Sequence, residues 1–317
     1  MAIKLFIDGK EGTTGLRIFD RLAGREDIQM LTLPEDQRKS PEARRACLHE
    51  ADFAILCLPD AAARESVSLA EGSKARILDT STAHRTADGW AYGFPELSAA
   101  HREAVASGNR VAVPGCHASG FVALVYPLVK AGLIPADAAL SCFSLTGYSG
   151  GGKKMIAEYE GDGRSPALDS PRQYALTQAH KHLPEMQHVP GLSVTPIFAP
   201  IVADFYSGME VTVPLFSSQL NCGAHPLQEL TDCLKAHYAG SKLIRVLSAD
   251  EVAGLGGFVA SNALSGNDGM EIMVLGNDER IQLVSRFDNL GKGSSGAALE
   301  CLSLMMGLDE TTGLNLA

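Results

Sequence analysis

The 317-residue sequence predicts an α/β fold, a doubly wound parallel sheet followed by a second, α+β domain, with a C-terminal helix that returns to the first. Three observations predict it. Short apolar runs alternate with amphipathic stretches from the N-terminus to about residue 115, which is the pattern of parallel strands joined by crossover helices. A glycine-rich turn follows the first apolar run. Beyond residue 115 the apolar runs lengthen, and one pair reads as a hairpin.

Residues 3–7 (IKLFI) are a strand closed by Asp8-Gly9, and LRIFDRLAG has apolar positions at helical spacing up to Gly24. Further strands are expected at DIQMLTL, DFAILCLP, ARILDTS and RVAVP, with helices at PEARRACLHE and AAARESVSLAEG between them. These elements define a first domain, residues 1–115. The run VAVPGCHASGF passes from a strand through Pro114-Gly115 into a helical stretch that starts at Cys116. A catalytic domain over 116–290 follows, carried by AALSCFSLTG, SVTPIFAPIVADFYSGMEVTVPLF and the hairpin-like MEIMVLGNDERIQLVSRF. Residues 291–317, with GKGSSGAALECLSLMMGL, read as a glycine-rich loop and an amphipathic helix packing on the first domain.

Composition narrows the function. A formal charge of −10 argues against nucleic acid or anionic membrane as partner, because both select basic surfaces. No stretch reaches the roughly 18 unbroken apolar residues of a membrane helix. The opening MAIKLFIDG runs into a strand rather than a cleavable leader, so a cytoplasmic location is expected. Seven cysteines, an odd number with no CxxC pair, suggest neither a disulfide framework nor a bound metal. The partner is therefore expected to be a small-molecule substrate, with any anion held locally.

The turn Gly9-Lys10-Glu11-Gly12-Thr13-Thr14-Gly15 is a GxxGxxG variant of the Rossmann-type dinucleotide fingerprint. Glycine lets backbone approach a pyrophosphate, and the following helix N-terminus supplies N–H groups to it. Such a turn also occurs for conformation alone, but its place between the first strand and a helix favours the nucleotide. The acidic residue that grips a free ribose 2′-hydroxyl is expected about 20 positions on, where this chain has Met30-Leu31-Thr32-Leu33. Arg38 and Lys39 follow and suit a 2′-phosphate, favouring NADP over NAD; otherwise they are ordinary solvated charges.

A cysteine is usually a small buried hydrophobe. Cys116 is singled out by position, since a helix N-terminus favours thiolate over thiol. A nucleophilic thiol beside a nicotinamide suggests acyl chemistry, in which a thioester forms and hydride reduces it to an aldehyde. A redox sensor that retains the fold without turnover is the rival from another class, and it has no reason to keep thiol, paired histidines and cofactor loops together.

Taken together, Gly9 to Gly15, Asp79-Thr80-Ser81 with Arg85, YGFPEL at 92–97, Pro114-Gly115-Cys116, GYSG at 147–150, HKHLPE at 180–185 and NLGKG at 289–293 resemble the semialdehyde dehydrogenase superfamily. Within it, the chain resembles the short-form N-acetyl-γ-glutamyl-phosphate reductase family over nearly its whole length. The resemblance implies an NADPH-dependent reduction of that acyl phosphate to the semialdehyde, in arginine biosynthesis, with Cys116 as acyl acceptor. It implies that HKHLPE supplies the acid/base. His182 is preferred to His180, and if the segment is extended both rings project to one face. Ser149 and Gly150 are implied as cofactor and substrate contacts, Asn289, Gly291, Lys292 and Gly293 as a second cofactor contact, and Arg85 with Ser81 as substrate contacts; a plain turn, a helix lead-in and a structural salt bridge are the bland alternatives. A homo-oligomer, dimer or tetramer, is expected. Aspartate-semialdehyde dehydrogenase, with the same chemistry, is the nearest enzyme alternative. Three departures bear on pocket shape: His117 follows the thiol where the family often has an aromatic, His84 stands where Phe is common, and Gly151 where Ala is usual.

Overall fold

The computed structural model describes residues 2–10 and 12–316, so Glu11 of the glycine turn lies outside the described residues. By internal contacts the chain divides into two units, Met1–Pro114 with Ser294–Leu314 and Gly115–Gly293 with Asn315–Ala317. These bounds differ by a few residues from a division at 115/116 and 290/291. Hydrogen bonds give the reason. Gly115 donates its N–H to Glu185, Gly291 and Gly293 both donate to the Asp288 carbonyl, and Asn315 pairs with Asp268 in both directions.

The first unit is the doubly wound sheet. Its strands are β1 (Ile3–Asp8), β2 (Ile28–Leu31), β3 (Phe53–Leu56), β4 (Arg76–Asp79), β5 (Ala91–Tyr92) and β6 (Arg110–Ala112), all parallel in the order β2-β1-β3-β4-β6-β5. The crossover helices are α1 (Thr13–Leu22), α2 (Pro41–Glu50), α3 (Asp60–Leu69) and α4 (Ala99–Ser107). Local sequence explains their starts. Ser40 accepts from the Ala43 N–H ahead of Pro41, and Ser98 caps α4 through His101. β3 is buried at all four positions, as a strand covered on both faces must be.

The second unit opens with α5 (Cys116–Lys130), buried from His117 to Leu128. It continues through β7 (Ser141–Gly147), α6 (Gly152–Glu160), β8 (Arg172–Gln173), α7 (Leu183–His188), β9 (Ile197–Ala203), β10 (Met209–Phe216), α8 (Pro226–His237), β11 (Ile244–Val246), α9 (Ala249–Ala253), β12 (Met270–Gly276) and β13 (Arg280–Phe287). The strands form one mixed sheet in the order β11-β12-β13-β10-β7-β9-β8, and β12–β13 is the expected hairpin. Alternation along β10 sends Val211 and Val213 to the buried face and Phe216 outward. The outward face also leaves Phe143 and Ile197 more than half exposed. The last helix, α10 (Gly296–Met305), belongs to the first unit, where Ala298, Leu302 and Met305 share one core with Leu5, Ile7, Ile18 and Val111.

α5 lies close on its sheet because Gly120 has no side chain. A Cβ there would come 2.4 Å from Val211 Cγ2 and 2.7 Å from Ser285 Oγ. Gly120→Ala is expected to cost roughly 1–3 kcal/mol by overpacking and to lower the thermal midpoint by several degrees in differential scanning calorimetry. An unchanged midpoint would mean that the helix can move off the sheet freely.

Candidate active site

The site of interest is built at the N-terminus of α5. Pro114 cannot continue the β6 ladder, and Gly115 enters the helix as an N-cap with no side-chain cap. Its N–H instead meets a buried carboxylate, Glu185 Oε2, at 2.9 Å. Cys116, half-buried, is the first helical residue, where the positive end of the helix dipole lies. Burial pushes Cys57 up to about 12 and raises Cys142, Cys47, Cys222 and Cys233 as well, so they stay protonated at neutral pH.

The segment HKHLPE is not extended, so the two rings do not share a strand face. His182 sits in an αR turn as N-cap of α7, with Pro184 in the first helical turn. A proline fits the start of a helix because its missing N–H is one the helix leaves unpaired there. The two histidines still meet, through the turn itself: the His182 N–H donates to His180 Nδ1 at 3.2 Å, and the ring centroids are 4.7 Å apart, edge to face. Ligand-type atoms of Cys116, His117 and His182 all lie within 4.8 Å of one another. His182 is therefore close to the thiol.

His117 is the centre of a network that sequence reasoning noted only as a departure. Its Nδ1 lies 2.6 Å from Ser144 Oγ on β7, and its Nε2 2.6 Å from the Tyr174 hydroxyl. Burial, with smaller contributions from the charges of His180 and Lys181, pushes its pKa down to about 3, so the ring is neutral. Burial foremost, then the nearby Cys116, raises the Tyr174 phenol, which keeps its proton. Phe198 closes the group, 5.2 Å from the His117 ring and 5.1 Å from the His180 ring. Ser144, Tyr174 and Phe198 carry no motif that places them here, and Glu185, though it ends the HKHLPE segment, was given no role from sequence.

The two small-residue loops of this unit meet each other. Asn289, buried, donates to Ser149 Oγ at 3.0 Å and accepts from the Gly208 N–H, while a Cβ on Gly150 would sit 3.5 Å from the Asn289 amide nitrogen. Gly291 begins a π-helical turn to Ser295, and Lys292 is buried within it. A Cβ on Gly293 would come 2.9 Å from that of Cys116, so only glycine lets this loop lie against the thiol.

The remaining sequence candidates lie in the first unit. Gly9 has φ +86°, and a Cβ there would strike the Cys57 carbonyl at 2.4 Å; one on Gly15 would strike the Gly9 carbonyl at 2.6 Å. α1 starts at Thr13 with no side-chain cap at Gly12 and no acid in its first turn. Thr13 Oγ1 is buried with no hydrogen-bond partner among the described residues, and Thr14 Oγ1 lies 3.2 Å from Ser294 Oγ. Close backbone, a helix N-terminus and an orphaned hydroxyl fit a pyrophosphate. Beside the turn is a cavity of about 520 Å³ whose wall includes Gly9, Lys10, Thr32, Leu33, Arg38 and Lys39. Glu35 and Asp36 also line it, acids that the reading of residues 30–33 missed, and Glu35 pairs with Arg38 at 2.7 Å. Ser81 turns inward and donates to Asp79 at 2.7 Å. Arg85 donates to the carbonyls of Val113 and Thr80, tying the ends of β6 and β4.

Comparison with known proteins agrees with this architecture. The family model of the semialdehyde dehydrogenase dimerisation domain matches residues 116–289. An N-acetyl-γ-glutamyl-phosphate reductase of Brucella ovis is 46% identical over 311 residues, covering 97% of this chain and 100% of the relative. N-acetyl-γ-glutamyl-phosphate reductase 2 of Pseudomonas putida is 43% identical over 96% of both chains. In fold, the chain is similar to aspartate semialdehyde dehydrogenase II of Vibrio cholerae (TM-score 0.70, 14% identity, 97% of this chain and 99% of that one). It is likewise similar to the aspartate semialdehyde dehydrogenase of Candida albicans solved with NADP (TM-score 0.68, 15% identity, 96% and 99%). Near-full-length identity above 40%, together with the matched domain, settles the kinship: the chain belongs to the N-acetyl-γ-glutamyl-phosphate reductase family of oxidoreductases, within the semialdehyde dehydrogenases.

Proposed function

We propose that this protein is the NADPH-dependent reductase of arginine biosynthesis that converts N-acetyl-γ-glutamyl phosphate to N-acetylglutamate 5-semialdehyde and phosphate through a thioester on Cys116. The observation that carries this reading is the placement of a helix-start thiol within 4.8 Å of a ring nitrogen of His182. His182 takes the thiol proton, and the Cys116 sulfur attacks the acyl carbon. The carbon–sulfur bond forms as the bond to phosphate breaks, and phosphate leaves with the electron pair. A nicotinamide cofactor, when bound, would supply the hydride for the thioester carbon. His182 returns its proton to the oxygen of the resulting hemithioacetal and takes it back as the carbon–sulfur bond breaks, which frees the aldehyde and leaves the thiolate beside the protonated imidazole. His180, bonded to the His182 N–H, orients that turn.

The cofactor reading rests on the glycine turn and its cavity. Gly9, Gly12, Thr13, Thr14 and Gly15 hold the pyrophosphate; Arg38 and Lys39 hold the 2′-phosphate. Glu35 favours the opposite choice, a free ribose hydroxyl, but it is engaged by Arg38. Ser149, Gly150, Asn289, Gly291, Lys292 and Gly293 shape the surroundings of the reacting sulfur, and Ser81 and Arg85 are assigned to the substrate. The assembly is a homo-oligomer in which a second copy covers the outward face of the second sheet, where Phe143 and Ile197 are exposed. The family's description as a dimerisation domain supports that occupant.

Purified protein should reduce N-acetyl-γ-glutamyl phosphate with NADPH, or run in reverse with phosphate, far faster than it processes aspartyl phosphate or aspartate semialdehyde. Cys116→Ser should keep cofactor binding and lose activity by several powers of ten, since an alcohol is a poor acyl acceptor; more than about a tenth of wild-type rate would remove Cys116 as nucleophile. His182→Asn should lower kcat by roughly 10²- to 10⁴-fold, with His180→Asn milder. Exchange of the two phenotypes would assign the proton to His180.

Replacing Arg38 and Lys39 together by Ala should raise KM for NADPH and barely change it for NADH. Equal losses would place these side chains away from the phosphate. Phe143→Asp should shift the sedimentation coefficient towards that of a monomer, whereas an unchanged coefficient would move the interface elsewhere on the molecule.

A further inference from the structure

The acyl chemistry proposed above needs one thiol and one imidazole. The structure places a third metal-type donor against them. Cys116 and His117 are consecutive at the start of α5, His182 caps α7, and their ligand atoms lie within 4.8 Å of one another. Zn–S bonds of about 2.3 Å and Zn–N bonds of about 2.0–2.1 Å put tetrahedral donors roughly 3.3–3.6 Å apart, so closure by about an ångström completes the geometry.

We infer that Cys116, His117 and His182 form a site for a thiophilic divalent cation of the Zn²⁺ class, whose occupancy reversibly silences the enzyme. The donor set, one sulfur and two imidazoles, is of the type that selects zinc over calcium or magnesium. Its surroundings are those of a metal site. Ser144 Oγ, at 2.6 Å from His117 Nδ1, fixes the ring from behind, as an outer partner does for a ligating histidine. Nε2 is the atom to turn towards the ion, and the Tyr174 hydroxyl that now sits 2.6 Å from it is positioned to bond a metal-bound water. Both histidines are buried, whereas Cys116 keeps partial exposure, which leaves a route of entry and room for a fourth, solvent ligand. Binding replaces the S–H bond by an S–metal bond and releases one proton to solvent, with no change of oxidation state.

The silencing rests on Cys116 being the nucleophile; the binding does not, so the two are read separately. Full-length protein freed of metal with a chelator is titrated with Co²⁺, a coloured stand-in for Zn²⁺. The expected result is a thiolate-to-cobalt charge-transfer band that is absent in Cys116→Ser and that needs at least about tenfold more Co²⁺ in His117→Phe. Zn²⁺ should displace the Co²⁺, protect Cys116 from alkylation by iodoacetamide as read by peptide mass spectrometry, and stop turnover until chelator is added. X-ray absorption of the zinc form of the wild-type protein should count one sulfur and two imidazole nitrogens, which holds the inference to account even if a variant fails to fold. Absence of the thiolate band, an unchanged affinity in His117→Phe, or a coordination shell without two imidazoles would overturn the site. Metal held by these three ligands with undiminished turnover would support it, and would instead remove Cys116 as the nucleophile.

Discussion

The hydrogen bond from the Gly115 N–H to Glu185 Oε2 is the contact on which the arrangement of the site depends. It joins two helix starts 70 residues apart in sequence, that of α5 with the thiol and that of α7 with His182. A buried hydrogen bond to a carboxylate contributes about 1.5–3 kcal/mol, and losing either partner leaves the other desolvated and unpaired. Because the amide is that of the N-cap, the bond also answers one of the donors every helix N-terminus leaves open. A side-chain cap at residue 115 would do the same locally but would bring no histidine with it. Distance in sequence is what makes this cap functional.

Around that bond the second unit mixes polar groups into a packed core. Ser144, His117, Tyr174, Asn289 and Ser149 are each matched to a neighbour at 2.6–3.0 Å. In a low-dielectric interior such chains hold one geometry, because any other leaves a buried polar atom unsatisfied. The same burial holds His117 neutral, while a ring nitrogen of His182 lies within 4.8 Å of the sulfur. Glycine has the complementary task. At Gly120 and Gly293 the missing side chain brings a helix onto its sheet and a loop onto the thiol.

Much of this was legible beforehand where a short stretch of chain decides the outcome. Alternating apolar runs marked the long strands of the first unit and its crossover helices α1 to α3, though not α4, and Pro114-Gly115 marked the start of α5, because proline and glycine restrict the backbone wherever they stand. The HKHLPE segment was legible as a site but not in its shape. Both a strand and a turn bring residues i and i+2 together, and Pro184 at a helix start decides between them only once α7 is known to pack.

The sequence by itself determined the class of fold, the thiol at a helix N-terminus and the glycine turn, since these follow from periodicity and from backbone stereochemistry within a few residues. Only the tertiary structure decided that Glu185 caps Gly115, that His117 is tied to Ser144 and Tyr174, and that Glu35 and Asp36 share a cavity wall with Arg38 and Lys39. Each of these is a meeting of side chains from separate elements. Which polar groups meet is set by the register and packing of a whole sheet, and no local pattern encodes it.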